Sequence, residues 1–183
     1  GYVFDDQKGS DFFESTELQE RFYRLWDYLA KRYSKEADIL IFELLNEVVD
    51  PKVAVQWNEI AAKAIKVIRK TSKDVKIIVG GVENNSITSV KLLDPPADEN
   101  IIYTFHCYEP LIYTHQGAYW IETMPEDMRL PYPDKFENYL EKSEKILGDR
   151  AGFLMDKSFG FDKIGPDFFE KLFKEAIEVA NER

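Results

Sequence analysis

The sequence predicts an α/β fold built on a parallel sheet, and three observations predict it. Short apolar runs at Ile39–Leu45, Val75–Val79 and Ile101–Phe105 have the length and β-branched content of strands buried on both faces. Longer stretches of helical periodicity separate them, which is the pattern of βαβ units. The first and third runs stop abruptly at polar residues, Asn46-Glu47 and His106-Cys107-Tyr108. Such residues do not suit a strand interior, and the carboxyl ends of parallel strands are where α/β barrels carry chemistry.

The elements follow in order. Gly1 to Ser15 reads as loop, and Asp5 and Asp6 read as solvated loop residues. Thr16 followed by Gln19 is a capping-box pattern that opens a helix to about Ser34. Leu18, Phe22, Leu25, Trp26, Leu29 and Tyr33 fall on one face of it. After the strand Ile39–Leu45, Asp50-Pro51 supplies an N-cap and a first-turn proline. The next helix runs to about Thr71 and is expected to bury Val55, Ile60, Ala64, Ile65 and Ile68. Val75–Val79 is the second strand, closed by Gly80-Gly81; a short helical segment from Ser86 to Leu93 is broken by Pro95-Pro96 before the third strand.

From Glu109 to Phe161 the rhythm changes. Pro110, Pro125, Pro131 and Pro133 interrupt it, and one helix is expected near Phe136 to Leu147. A connection of this length in a compact domain is usually functional. After Gly165-Pro166 an amphipathic helix resumes through Phe169, Leu172, Phe173, Ile177 and Val179.

Composition excludes several function classes. A formal charge of −10 argues against a nucleic-acid partner, which would require clustered Lys and Arg. No apolar run approaches the roughly 20 residues that span a bilayer, so no membrane partner is implied. The single cysteine, Cys107, excludes an intrachain disulfide and leaves the compartment open, secreted or cytoplasmic. His106 and His115 stand without an HExxH motif or clustered carboxylates, so no metal or other cofactor is implied. Aromatic residues make up 14% of the chain, which suits flat sugar-binding faces and core packing alike.

Glu47 directly follows an apolar strand, where desolvation would raise the pKa of a carboxyl. It can equally be the first polar residue of a loop. His106 and Tyr108 alternate with Cys107, so both side chains can reach one side of the strand tip; a core histidine and a filler tyrosine are the alternatives. His115 and Trp120 lie in the extended segment, where sugar contacts and internal packing are both open readings.

Taken together, these residues resemble glycoside hydrolase family 5, the retaining endo-β-glucanases of the (β/α)8 clan. The resemblance rests on the two strand ends, on Phe42-Glu43-Leu44-Leu45-Asn46-Glu47-Val48-Val49, on Gly80-Gly81 with Asn85-Ser86, and on Thr114-His115-Gln116 with Trp120. It covers essentially the whole chain and implies part of a (β/α)8 TIM barrel, about strands four to six and helices three to six. It further implies a mainly helical inserted subdomain at Met124 to Phe161, forming a cleft wall. Glu47 would be proton donor and general base, and Asn46 a donor to the sugar 2-hydroxyl. His106, Tyr108, Trp120 and His115 would contact a β-1,4-glucan polysaccharide or oligosaccharide. Many family members carry Pro after the acid/base, where Val48 stands here.

Retention requires a second carboxyl roughly 5–5.5 Å from the first. The family's nucleophile sits in a Gly-Glu-Phe-Gly context, and this sequence contains none. Glu43 lies on the same strand as Asn46 and would face away from the mouth or into the barrel layers. A full barrel takes about 250 residues. With 183 residues, Gly1 in first place and no signal-like apolar segment, the chain is expected to be an excerpt that needs further barrel segments for completion. A catalytically inactive carbohydrate-binding fragment is one alternative; a mannanase or β-1,3-glucanase of the same clan is another.

Overall fold

The computed structural model describes residues 11–182, so the reading of Asp5 and Asp6 falls outside the described residues. The chain forms two compact units. One runs up to His106 and includes the stretch from Glu175; the other is Cys107–Lys174.

Within the loop expected up to Ser15, the described residues form a one-turn helix α1 (Asp11–Glu14). Phe12 and Phe13 drive it: both are buried, and Phe12 packs edge-on against Phe22. Helix α2 (Thr16–Arg32) follows, capped one residue earlier than its sequence pattern suggests. Ser15 is the N-cap and accepts from the Leu18 amide, while the Gln19 side chain reaches back to the carbonyls of Phe12 and Phe13. The glutamine thus ties two helices together instead of closing a capping box. The buried face is Leu18, Phe22, Tyr23, Trp26 and Ala30, rotated from the expected stripe, with Leu25 and Tyr33 exposed.

Three strands, β1 (Ile41–Glu43), β2 (Lys76–Gly80) and β3 (Ile101–Thr104), form a parallel sheet in chain order. Phe42 pairs with Ile77, and Ile77 with Ile101, so these three share one face. That face packs on α2 and on α3 (Ala54–Arg69), which buries Trp57, Ile60, Ala61, Ala64, Ile65 and Ile68. Val55, expected in the core, is exposed because it lies in the first turn. Asp50 caps the Pro51–Val53 turn leading into α3, as the Asp-Pro pair predicts.

The opposite face is not covered by the described residues. Ile41 is 51% exposed, and Glu43 and Ile102 are exposed with it. Apolar residues on both faces are what a closed parallel barrel requires.

At the amino ends of β2 and β3 sits a clamp. The Arg69 guanidinium grips the Asp98 carboxylate through two bonds of 2.7 and 3.0 Å and also donates to the Val75 and Ser72 carbonyls. The hydrogen bond from Arg69, joined by the Asn100 amide, holds the Asp98 carboxyl below its ordinary value against a smaller desolvation effect.

Trp57 reaches across the helix–sheet interface to donate to the Gly80 carbonyl at 2.8 Å. Trp57→Phe keeps most of the packing and removes that buried donor. It is expected to lower stability by about 1–2 kcal/mol, read as a lower denaturant midpoint at unchanged m-value.

The second unit has its own core of Ile112, Tyr139, Leu154, Met155, Ile164 and Phe168. The helix Phe136–Leu147 forms where its periodicity places it, and a short antiparallel ribbon pairs Asp134–Lys135 with Lys163–Ile164. Tyr139 is fully buried and donates to the Pro131 carbonyl at 2.6 Å, and burial pushes its hydroxyl up to about 12. This unit contains the stretch 124–161 set apart in the sequence and extends beyond it on both sides, because Ile112, Ala118 and Phe168 share the one core.

Candidate active site

The polar strand ends meet at the carboxyl edge of the sheet. The Leu44 amide donates to the Ile78 carbonyl, continuing the ladder one residue past β1. The chain then turns: Asn46 is exposed, Glu47 is half-buried with φ at 50°, and Val48 is fully buried. A positive φ in a glutamate is uncommon and marks a position fixed by its surroundings. Part of that fixing is visible. Val48 anchors the turn through its side chain, while its carbonyl accepts from the Asn84 amide at 2.9 Å.

From this turn the Glu47 carboxylate reaches His106, two residues beyond β3. Its Oε1 lies 2.7 Å from His106 Nδ1, with the two side chains 28% and 24% exposed respectively. A half-buried acid hydrogen-bonded to an imidazole has its orientation set before any substrate arrives. The His106 backbone amide in turn donates to the Asn85 carbonyl at 2.8 Å. Glu43 points to the sheet face away from the helices and takes no part in this pair.

The remaining sequence-predicted residues lie in the second unit. Tyr108 is exposed, its carbonyl accepts from Thr114 Oγ1 at 2.6 Å, and its ring meets His115 edge-on at 5.4 Å. His115 meets Trp120 edge-on at 6.0 Å, and desolvation lowers the His115 pKa, favouring a neutral ring able to donate and accept. Trp120 is 64% exposed and is not packed inside the subdomain.

Beside it opens a cavity of about 680 Å³ lined by His115, Trp120, Glu122, Leu147, Arg150 and Phe153. Glu122 and Arg150 pair across 3.0 Å, and Phe153 is exposed. The volume is that of a small-molecule pocket, and the mix of aromatic faces and planar charged groups suits a polyhydroxylated ring. Sequence reasoning missed Phe153 and the ion pair because no periodicity or motif marks a turn of short 3₁₀ helices. Burial, with Glu109 adding to it, pushes the Cys107 thiol up to about 11, which disfavours the thiolate.

Comparison with known proteins identifies the family. Residues 6–173 match the cellulase family, glycosyl hydrolase family 5. Cellodextrinase A of Ruminococcus flavefaciens is 43% identical over 145 residues, covering 78% of this chain and 43% of that protein. Endoglucanase C of Acetivibrio thermocellus is 35% identical over 184 residues, covering 100% of this chain and 52% of that protein. The chain therefore spans about half the length of the relatives it matches. Among solved structures, endoglucanase Cel5A of Thermotoga maritima superposes with a TM-score of 0.59 at 32% identity, over 79% of this chain and 47% of that one. The same enzyme is known in complex with mannotriose and with cellobiose. The fold is accordingly part of a (β/α)8 barrel. With a match across most of its length, a parallel sheet in chain order and an acid–imidazole pair at the carboxyl ends of its strands, the chain belongs to glycosyl hydrolase family 5.

Proposed function

We propose that this chain is the acid/base-bearing part of a retaining, endo-acting glycoside hydrolase that cleaves β-1,4-glucan. The observation that carries the reading is the Glu47–His106 contact of 2.7 Å at the carboxyl ends of β1 and β3. In this reading Glu47 protonates the glycosidic oxygen as the bond breaks. It then removes a proton from the water that releases the glycosyl intermediate. Asn46 donates to the 2-hydroxyl, an interaction that strengthens in the oxocarbenium-like transition state. His106 orients the carboxylate, and Tyr108 contributes to substrate binding. The attacking carboxylate comes from a segment outside these 183 residues. Residues 124–161 form an inserted subdomain that serves as a wall of the cleft in the complete enzyme.

Proton NMR of the products tests the mechanism: the β-anomer should appear first, and initial release of the α-anomer would refute retention. A substrate panel tests specificity. Cellohexaose and soluble β-1,4-glucan should be preferred over mannan and β-1,3-glucan, and mannan belongs in the panel because Thermotoga maritima Cel5A is known with mannotriose.

Trp120 and His115 are proposed sugar contacts, supported by the exposed indole and the adjoining cavity. Trp120→Ala in the complete enzyme should remove about 1–2 kcal/mol of apolar contact, raising KM for soluble glucan roughly 5- to 30-fold. Melting temperature should change little, since the side chain is mostly exposed. An unchanged KM would exclude Trp120 from the binding surface.

A further inference from the structure

Three consecutive residues, Glu83, Asn84 and Asn85, have φ values of 52°, 58° and 57°. Single residues visit this left-handed region, and a run of three without glycine is rare, because each Cβ crowds its own backbone. The run follows the Gly80-Gly81 end of β2 and therefore lies between the strands that carry Glu47 and His106. Its hydrogen bonds go to both neighbours. The Asn84 amide donates to the Val48 carbonyl, next to Glu47, and the Asn85 carbonyl accepts from the amide of His106 itself.

Asn85 is fully buried, and neither polar atom of its amide has a hydrogen-bond partner among the described residues. Burying such an amide works against stability. The side chain instead fills the space over Gly80, where any Cβ would collide with it. Steric fit thus locks Asn85 in place, and its carbonyl and its neighbour's amide face the two strand ends.

We propose that Asn85 is a positioning residue for proton transfer: the left-handed strap it closes holds the backbones beside Glu47 and His106 at the separation their contact requires. This rests on the reading of Glu47 as the acid/base. If the strap loosens, the carboxyl leaves the geometry needed to protonate the leaving oxygen, and small misplacements of this kind are costly.

The test uses Asn85→Gly in the full-length enzyme. Glycine accepts the positive φ and retains the carbonyl, so the change frees the strap without straining it. Parent, Asn85→Gly and Glu47→Gln are compared on soluble β-1,4-glucan, whose leaving group needs a proton. They are also compared on dinitrophenyl cellobioside, under pre-steady-state conditions, because its leaving group needs none. Asn85→Gly is expected to lose about tenfold or more in kcat on glucan, with KM within twofold, while the dinitrophenol burst stays close to parent. Equal losses on both substrates, or parent-like kcat on glucan, would overturn the proposal. If Glu47→Gln retains full glucan activity, the acid/base reading fails instead, and the two failures are told apart. Should Asn85→Gly unfold without cooperativity, Asn84→Gly, exposed in the same strap, loosens it without disturbing the interior, and the same substrate ratio decides.

Discussion

Glu47→Gln in the complete enzyme is expected to lower kcat on unactivated β-1,4-glucan by about 10²- to 10⁴-fold. The amide preserves the size and reach of the carboxyl and removes its charge and its capacity to give or take the transferred proton. The strand end, the buried Val48 anchor and the His106 contact should therefore survive, and substrate should still bind. A substrate with a good leaving group bypasses the protonation step, so its first-step burst should remain while turnover slows for want of a general base. Steady-state kcat on soluble cellulose and the burst on dinitrophenyl cellobioside are the two measurements. Equal activity of mutant and parent on cellulose would remove Glu47 from the mechanism.

The 183-residue chain produced by itself should release no reducing sugar from soluble cellulose. Retaining hydrolysis works through two carboxyl groups as a unit, and deleting one member of such a unit forfeits nearly the whole rate enhancement. The carboxylate on β1, Glu43, is exposed on the face of the sheet that a closed barrel turns inward, away from the Glu47–His106 pair. A reducing-sugar assay on purified chain, with Glu47→Gln chain as the contamination control, is the measurement. Hydrolysis by the first and not the second would show that the chain carries a complete site and would refute the proposed division of the carboxylates.

The parallel sheet and the polar tips of its first and third strands were legible in the sequence, because apolar runs broken by polar residues directly encode buried strand ends; the Glu47–His106 contact itself was not. Helix faces were less so. Tyr23 and Ala30 replaced Leu25 and Tyr33 in the core since the packing of α2 against Phe42 and α3 selects the face, and periodicity alone cannot rank neighbouring stripes. The Ser15 cap was displaced by a single residue because Gln19 found better acceptors in the carbonyls of Phe12 and Phe13. The left-handed strap had a local signal in Asn84-Asn85, the residue type most tolerant of positive φ after glycine, but its two hydrogen bonds link segments far apart in the chain. Phe153 and the Glu122–Arg150 pair left no periodic trace at all, since only tertiary packing brings them to one cavity.

The Arg69–Asp98 clamp sits at the amino ends of the strands, with the proposed acid/base pair at their carboxyl ends. That separation gives selection two independent dials. Because Asp98 is held ionised below its ordinary value, the clamp contributes fully at pH values above the usual aspartate range. It weakens only as acidity carries the medium down through the depressed value. A lineage entering a hotter or more acidic habitat can therefore retune residues around the clamp while the Glu47–His106 end of the sheet is inherited unchanged. One drifting toward new polysaccharides can rewrite the loops at the other end without loosening the scaffold that carries them.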